Sequence, residues 1–172
     1  MDGKCSILDA TCGGRMFWQH ATPSNVLCLD ARVSVHPDIV ARDEYLPFRN
    51  SSFNVIYFDP PHNHGPGGFF KERYGGFGSY DDLRQLYHHA CQEFARVLET
   101  SGYLFVKLTR TAQLRGSKHH EGLLESQMPY RFSQYASVAG FTLERMRHTP
   151  SRGSSRNAHV YWMRFRKVGN AL

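Results

Sequence analysis

Residues 54–62 read N-V-I-Y-F-D-P-P-H, a short apolar run that stops at a carboxylate followed by two prolines. The run, residues 55–58, is rich in β-branched and aromatic side chains, which is typical of a buried strand. Neither proline can donate a hydrogen bond to a neighbouring strand, so the chain must leave the sheet at Asp59. In open α/β sheets, ligands bind beyond the carboxyl ends of the strands. The motif therefore predicts either a ligand site at Asp59, with Pro60 and His62 beside it, or a capped strand entering a rigid turn.

The overall composition is that of a globular protein. The chain has 172 residues, of which 41% are hydrophobic and 13% aromatic. These values favour a single domain over residues 1–172 with a substantial core. No apolar run approaches the ~18 residues of a membrane helix, and the polar N-terminus lacks the apolar core of a signal peptide. We therefore expect a cytoplasmic protein.

Seven apolar runs have the composition of strands and leave room for helices between them. They are residues 5–8, 26–29, 39–41, 55–58, 103–108, 142–146 and 160–165. Apolar residues at helical spacing predict a helix over residues 81–98, a weaker one over 125–139 and a third starting after Gly13. Alternating strands and helices predict an α/β fold with a doubly wound, mostly parallel sheet. The last two runs are close enough to form a hairpin, which makes the final strand antiparallel.

Acidic residues follow the ends of four successive predicted strands: Asp9, Asp30, Asp43 and Asp59. After the first of them, the turn T-C-G-G at residues 11–14 lets a ligand approach the backbone closely, and a helix start there offers free N–H groups. An acid at the position of Asp30 can accept hydrogen bonds from both hydroxyl groups of a ribose. Strand capping explains one such acid better than four in register, so we interpret the set as a ligand site.

This arrangement resembles the class I S-adenosylmethionine-dependent methyltransferases over nearly the whole chain. The resemblance implies a Rossmann-like seven-stranded sheet of order 3-2-1-4-5-7-6 with strand 7 antiparallel. It implies S-adenosyl-L-methionine as cofactor, with Asp30 on the ribose and Asp43 beside the adenine. The other cofactor-binding positions implied by the resemblance are Asp9, Thr11, Cys12, Gly13, Gly14 and Asp59.

The D-P-P-H sequence is similar to the D-P-P-Y motif of enzymes that methylate exocyclic amino groups of nucleobases, and to small phage-type methyltransferases. The resemblance implies methyl transfer to N6 of adenine, N4 of cytosine or a similar amine in DNA or RNA. Asp59 and the Pro60 carbonyl would orient the amine, while His62 would stack on the base or transfer a proton. His62 replaces the usual aromatic residue of this motif, and Arg15 stands where the cofactor turn commonly has a third glycine.

A polyanionic substrate would suit the charge of the chain. The formal net charge is +6, and residues 145–167 contain seven lysines or arginines and no acidic residue. Such a cluster favours nucleic acid, although a solvated basic face is the alternative. The residues that we expect to contact phosphates are Arg145, Arg147, Arg152 and Arg156.

The segment from residue 65 to residue 79 is rich in glycine and aromatic residues and follows the D-P-P-H motif closely. It predicts either a substrate-binding flap or an unspecialised surface loop. In a flap, aromatic side chains would contact the base and basic ones the phosphates. These are Phe69, Phe70 and Tyr74, with Lys71 and Arg73. Lys107, near the end of the fifth strand, faces either the crevice beyond the carboxyl ends of the strands or solvent.

Three other functions are compatible with the sequence. The chain could methylate a small molecule or a protein, or it could be an inert subunit that binds nucleic acid. Cys12 could act as a nucleophile for carbon-5 methylation of pyrimidines, but it lies in the cofactor turn instead of after the fourth strand. Neither the cysteines nor the adjacent histidines at 88–89 and 119–120 have the spacing of a metal site, so we predict none.

Overall fold

The computed structural model describes residues 6–18, 20, 23–60, 80–111, 128–150 and 158–169. Seven strands form one sheet: β1 (Ile7–Asp9), β2 (Val26–Asp30), β3 (Ile39–Val40), β4 (Phe53–Phe58), β5 (Leu98–Thr111), β6 (Phe141–Pro150) and β7 (Ala158–Lys167). The described α-helices are α1 (Tyr80–Val97) and α2 (Met128–Val138), and single 3-10 turns span Met16–Trp18 and Val33–Val35.

The order of the strands is β3-β2-β1-β4-β5-β7-β6. Strands β1 to β5 pair in parallel, whereas β7 is antiparallel to both β5 and β6. The predicted fold class, a Rossmann-like, mostly parallel sheet with an antiparallel last strand, is therefore confirmed. All seven predicted strands are present, and β5 extends well beyond the predicted residues 103–108 at both ends.

Both described α-helices pack on the same face of the sheet and form the main core with it. Phe58 of β4 has its ring centre 4.9 Å from that of Phe94 on α1 and 5.9 Å from that of Phe132 on α2. Phe132 in turn lies 5.8 Å from Phe165 of β7. All four rings are at most 1% exposed. Burial of large aromatic side chains at these spacings is a major source of stability.

The segment after Gly13 differs from the prediction of a helix. Its described part forms only the 3-10 turn Met16–Trp18. Arg15, immediately before it, has a φ of 57°, in the left-handed region that cannot continue a right-handed helix. In the part of the chain that the structure describes, the second face of the sheet therefore carries no α-helix. Nor does any described helix have both the length and the apolar character needed to cross a membrane.

Three strands form a wall beyond the end of β4. The last residue of β4, Phe58, pairs with Val106 of β5, which continues for five more residues to Thr111. At ~3.3 Å per residue the extension is about 16 Å long. Over this length β5 pairs with β7, and β7 pairs with β6. The wall borders the crevice into which Asp59 emerges.

Gly102 gives a test of how closely β4 and β5 approach. A Cβ atom there would lie 2.8 Å from the Asn54 carbonyl oxygen and 2.8 Å from Leu98 Cγ. We expect Gly102→Ala to lower the free energy of unfolding by about 1–3 kcal/mol, measured with urea. Gly169→Ala is the control, because its Cβ would meet no atom within 4 Å. Equal midpoints for the two variants would contradict the close approach.

Candidate active site

Asp59 lies where the sequence predicts it, as the first residue beyond β4. Its backbone N–H donates to Thr11 Oγ1 at 2.7 Å, which ties the end of β4 to the turn after β1. Its Oδ2 accepts a hydrogen bond from Lys107 Nζ at 2.5 Å. The Asp59 side chain is 21% exposed and Pro60 is buried. The backbone of Asp59 is thus held by Thr11 and its carboxylate by Lys107, while the side chain remains partly accessible from the crevice.

The structure resolves the orientation of Lys107, which faces the crevice. Its ammonium group also lies 5.7 Å from the ring centres of Phe17 and Trp162, within the range of cation–π attraction. A signal for this orientation is present in the alternation along β5. Leu104 and Val106 face the core, so Lys107 shares the opposite face with Phe105.

Asp9 is fully buried and its carboxylate is engaged by the protein. Trp18 Nε1 donates to Oδ2 at 2.8 Å, and the Thr11 N–H donates to Oδ1 at 3.3 Å. Burial raises the pKa of Asp9 to about 6 despite these bonds. Through these bonds Asp9 holds the turn after β1 in place. A direct contact between the Asp9 carboxylate and a cofactor stays a prediction.

The Trp18 contact predicts a pH-dependent stability. Because the folded pKa of Asp9 is raised, its contribution to stability is present at low pH and is lost as the pH rises towards about 6. Trp18→Phe removes a donor that favours the ionised form. We therefore expect Trp18→Phe to lower the free energy of unfolding by about 2 kcal/mol more at pH ~8 than at pH ~5.

Urea unfolding at both pH values measures this difference. The control is Phe17→Leu, which removes a neighbouring ring that has no N–H. A pH-independent loss for Trp18→Phe would refute the role of this bond.

Arg15 fastens the turn after β1 to the segment before β3. It adopts the positive φ that a glycine would favour, and its Nη2 donates to Asp38 Oδ1 at 2.8 Å. Asp38 Oδ2 accepts a bond from the Cys28 N–H at 2.8 Å. The arginine at this unusual position therefore acts as a brace between two connections.

Asp30 follows β2 as predicted, but its carboxylate is occupied. Oδ1 accepts from the N–H and Nε of Arg32, and Oδ2 accepts from Arg32 Nη2 and the Gly13 N–H, all at 2.9 Å. Burial would raise the pKa of Asp30, but the bonds from Arg32 and Gly13 outweigh it and lower the pKa. A carboxylate has about four acceptor positions. The hydroxyl groups of a ribose could therefore reach Asp30 only if the Arg32 guanidinium moves away.

Asp43 presents an unused acceptor. The residue as a whole is partly exposed, but its Oδ1 atom is buried and has no hydrogen-bond partner among the described residues. Burial, and then the carboxylate of Glu44, raise the pKa of Asp43 well above its ordinary value. A buried acceptor without a donor is costly. A ligand that supplies an N–H or O–H would remove this cost.

Gly13, Gly14 and Cys12 are the remaining residues of the predicted cofactor turn. Gly13 adopts a φ of 48°, which a residue with a Cβ atom seldom does, and a Cβ on Gly14 would meet open space. Burial raises the pKa of the Cys12 thiol, so it is not a thiolate at neutral pH, which argues against the nucleophile alternative. The described ranges contain no group of three or more side chains placed to hold a metal ion.

Several predicted site residues lie outside the described residues, so their roles stay predictions. They are His62, Phe69, Phe70, Lys71, Arg73, Tyr74, Arg152 and Arg156. Arg145 and Arg147 are described, and both are exposed on β6.

No protein-family model and no curated protein matches the chain, but solved structures match its fold. A SAM-dependent methyltransferase from Methanosarcina mazei has a TM-score of 0.59 at 13% identity, covering 94% of this chain and 92% of that one. The 16S rRNA (adenine(1408)-N(1))-methyltransferase from Catenulisporales acidiphilia has 0.60 at 10%, covering 98% and 89%. Geranyl diphosphate C-methyltransferase from Streptomyces coelicolor has 0.56 at 9%, covering 94% and 70%. At these identities the likeness establishes the fold and leaves the reaction open.

Proposed function

We propose that the chain is an S-adenosylmethionine-dependent methyltransferase that modifies an exocyclic amino group of a nucleobase in DNA or RNA. The observation that carries this proposal is the placement of Asp59. Asp59 is the first residue after the central strand and is followed by a buried proline. Its backbone N–H is bonded to Thr11 and its partly exposed carboxylate to Lys107. Among the fold neighbours, one is named as acting on an adenine of 16S rRNA, which supports a nucleobase substrate.

The residues at the carboxyl ends of β1 to β3 fit the proposed cofactor. Asp43 Oδ1 lacks a donor, and the amino group of an adenine would provide one. Open space above Gly14 would admit a ligand close to the backbone. Asp30 would accept the ribose hydroxyl groups once Arg32 has moved. When bound, S-adenosylmethionine supplies a methyl group activated by the positive charge on sulfur.

The protein's part in the reaction is to orient the amine. An exocyclic amine is a poor nucleophile because its lone pair is delocalised into the base. Lys107 Nζ donates to Asp59 Oδ2 and so restricts rotation of the carboxylate, while Oδ1 would accept a hydrogen bond from one amino N–H. The Pro60 carbonyl oxygen would accept a hydrogen bond from the other. Together these acceptors would favour a pyramidal nitrogen and stabilise the positive charge that develops on it.

A small-molecule acceptor is the second candidate. It is favoured by the fold neighbour named as a geranyl diphosphate C-methyltransferase, which covers 94% of this chain. In that case the basic residues of β6 and β7 would have no part in binding the substrate. The third candidate, an inert subunit that binds nucleic acid, would show no transfer to any acceptor.

Transfer of tritium from methyl-labelled S-adenosylmethionine separates these candidates. The protein is incubated in parallel with DNA, RNA and a protein-free metabolite extract, and the label in each fraction is counted. We expect label in DNA or RNA. Label confined to the metabolite fraction would replace the proposal by the second candidate. Binding of nucleic acid without label in any fraction would favour the inert subunit.

A further inference from the structure

The second face of the sheet is exposed where β5, β7 and β6 lie side by side. Residues that pair across neighbouring strands share a face, so this surface can be followed from the register. One row runs from Lys107 through Trp162 to Arg147. The next row contains Arg164 and Arg145, with Arg166 two residues further along β7. We refer to these six residues as the basic sheet face.

An exposed tryptophan lies at the centre of the first row. Trp162 is 42% exposed, an unusual degree for a large aromatic side chain. Phe17 packs against it at 6.0 Å with the rings at 62°, and Lys107 lies 5.7 Å from its ring centre. Because Lys107 Nζ is also 2.5 Å from Asp59 Oδ2, the indole ring centre is at most about 8 Å from that oxygen. The exposed ring therefore adjoins the candidate active site.

Three of the five cations of the basic sheet face are not balanced by acidic side chains of the described residues. Arg164 pairs with Glu144 at 3.1 Å and Lys107 pairs with Asp59. Arg145, Arg147 and Arg166 are exposed and make no ion pair with any described residue. Arg145 also lies directly opposite Arg164 across the β6–β7 pair. Like charges opposed across strands destabilise a sheet unless an anion lies over them.

We propose that the basic sheet face binds a single-stranded stretch of nucleic acid next to the base that is methylated. Trp162 would stack on an unpaired base, while Arg147, Arg145 and Arg166 would contact the phosphates that follow it. Stacking on this ring requires a base that is free of its duplex partner, so single strands bind more tightly than duplexes. The inference rests on the proposed function for its choice of partner.

The charge of the surface selects this partner over a second copy of the chain. In a symmetric dimer through this face, the three unpaired arginines of one copy would meet those of the other. Their repulsion opposes such an interface, whereas a polyphosphate chain complements both the charge and the exposed ring. A small uncharged acceptor would not engage the three arginines.

Fluorescence anisotropy with short labelled oligonucleotides of DNA and of RNA, single-stranded and duplex, tests the proposal. Trp162→Ala should weaken single-strand binding by at least about tenfold. Arg147→Gln should flatten the slope of log affinity against log salt by about one unit. The matched controls are Tyr130→Ala, an exposed aromatic on α2, and Arg49→Gln, an exposed arginine ahead of β4, and both should behave as the wild type. Tryptophan emission should be quenched on binding to the wild type and far less in Trp162→Phe.

The outcomes distinguish this inference from the proposed function. In one outcome, methyl transfer to nucleic acid occurs, but Trp162→Ala binds as the wild type does and Arg147→Gln has an unchanged salt slope. That result would overturn the proposed binding at the basic sheet face and leave the proposed function standing. Trp162-dependent binding without transfer would overturn the proposed function and leave the surface standing. Self-association of the wild type that Trp162→Ala abolishes, without oligonucleotide binding, would replace the proposal by a dimer interface. If Trp162→Ala does not fold, the salt slope of Arg147→Gln tests the binding surface on its own, and an unchanged slope would overturn it. Comparison of the RNA and DNA affinities identifies the polymer.

Discussion

Replacing Asp59 by asparagine is expected to lower methyl transfer by at least ~10²-fold while cofactor affinity stays close to that of the wild type. The change is nearly isosteric, and the amide oxygen can still accept one hydrogen bond. What is lost is the negative charge beside the amine nitrogen, where positive charge develops during transfer. Single-turnover rates with labelled cofactor measure the effect, and calorimetry measures the affinity.

The control for this substitution is Asp81→Asn, which removes an equal charge from an exposed position on α1. Its transfer rate should match that of the wild type. Full activity of Asp59→Asn would remove the amino-methyltransferase interpretation. A variant that loses activity only because it unfolds would instead favour the alternative in which Asp59 caps the strand. Thermal unfolding of each variant separates these cases.

Asp30→Ala is expected to weaken S-adenosylmethionine binding by about 2 kcal/mol or more, roughly 30-fold. The substitution removes the acceptor proposed for the ribose and also the oxygen that holds the Gly13 N–H at 2.9 Å. Arg32→Ala is the informative partner variant. It removes the two hydrogen bonds that the guanidinium donates to Asp30, while the bond from its backbone N–H remains. It should therefore bind the cofactor as tightly as the wild type or more tightly.

Calorimetric titration of the three proteins checks this pattern. Unchanged affinity in Asp30→Ala would defeat the ribose assignment. Weakened affinity in Arg32→Ala would show that Arg32 supports the cofactor site instead of competing for it. In either case the structural role of the Asp30–Arg32 pair is followed independently by urea unfolding.

The sequence predicted those features that depend on local pattern. Strand β4 ends at Phe58 because Asp59 is followed by two prolines, and its carboxylate lies at the predicted edge of the sheet. Helix α1 matches its apolar spacing to within one residue at each end. The hairpin of β6 and β7 followed from the short polar connection between two apolar runs.

The features that the sequence did not predict depend on tertiary contacts. The length of β5 is set by pairing with β7, which lies about 50 residues further along the chain. No helix follows Gly13 in the described residues because Arg15 adopts a left-handed conformation while bonded to Asp38. The engagement of Asp30 by Arg32 is likewise a choice of rotamer, on which residue spacing carries no information. The alternation along β5 indicates the face on which Lys107 lies, but its bond to Asp59 again depends on the rotamer.

Mass spectrometry of nucleosides shows whether Asp59 directs methyl transfer to an exocyclic amine. DNA and RNA are treated with the wild type or Asp59→Asn in the presence of S-adenosylmethionine with a deuterated methyl group, then digested to nucleosides. We expect a deuteromethyl group on an exocyclic amine of one nucleoside with the wild type and at most ~1% of that yield with Asp59→Asn. A label on a ring nitrogen, a ring carbon or a ribose oxygen, or equal yields from both proteins, would contradict this claim.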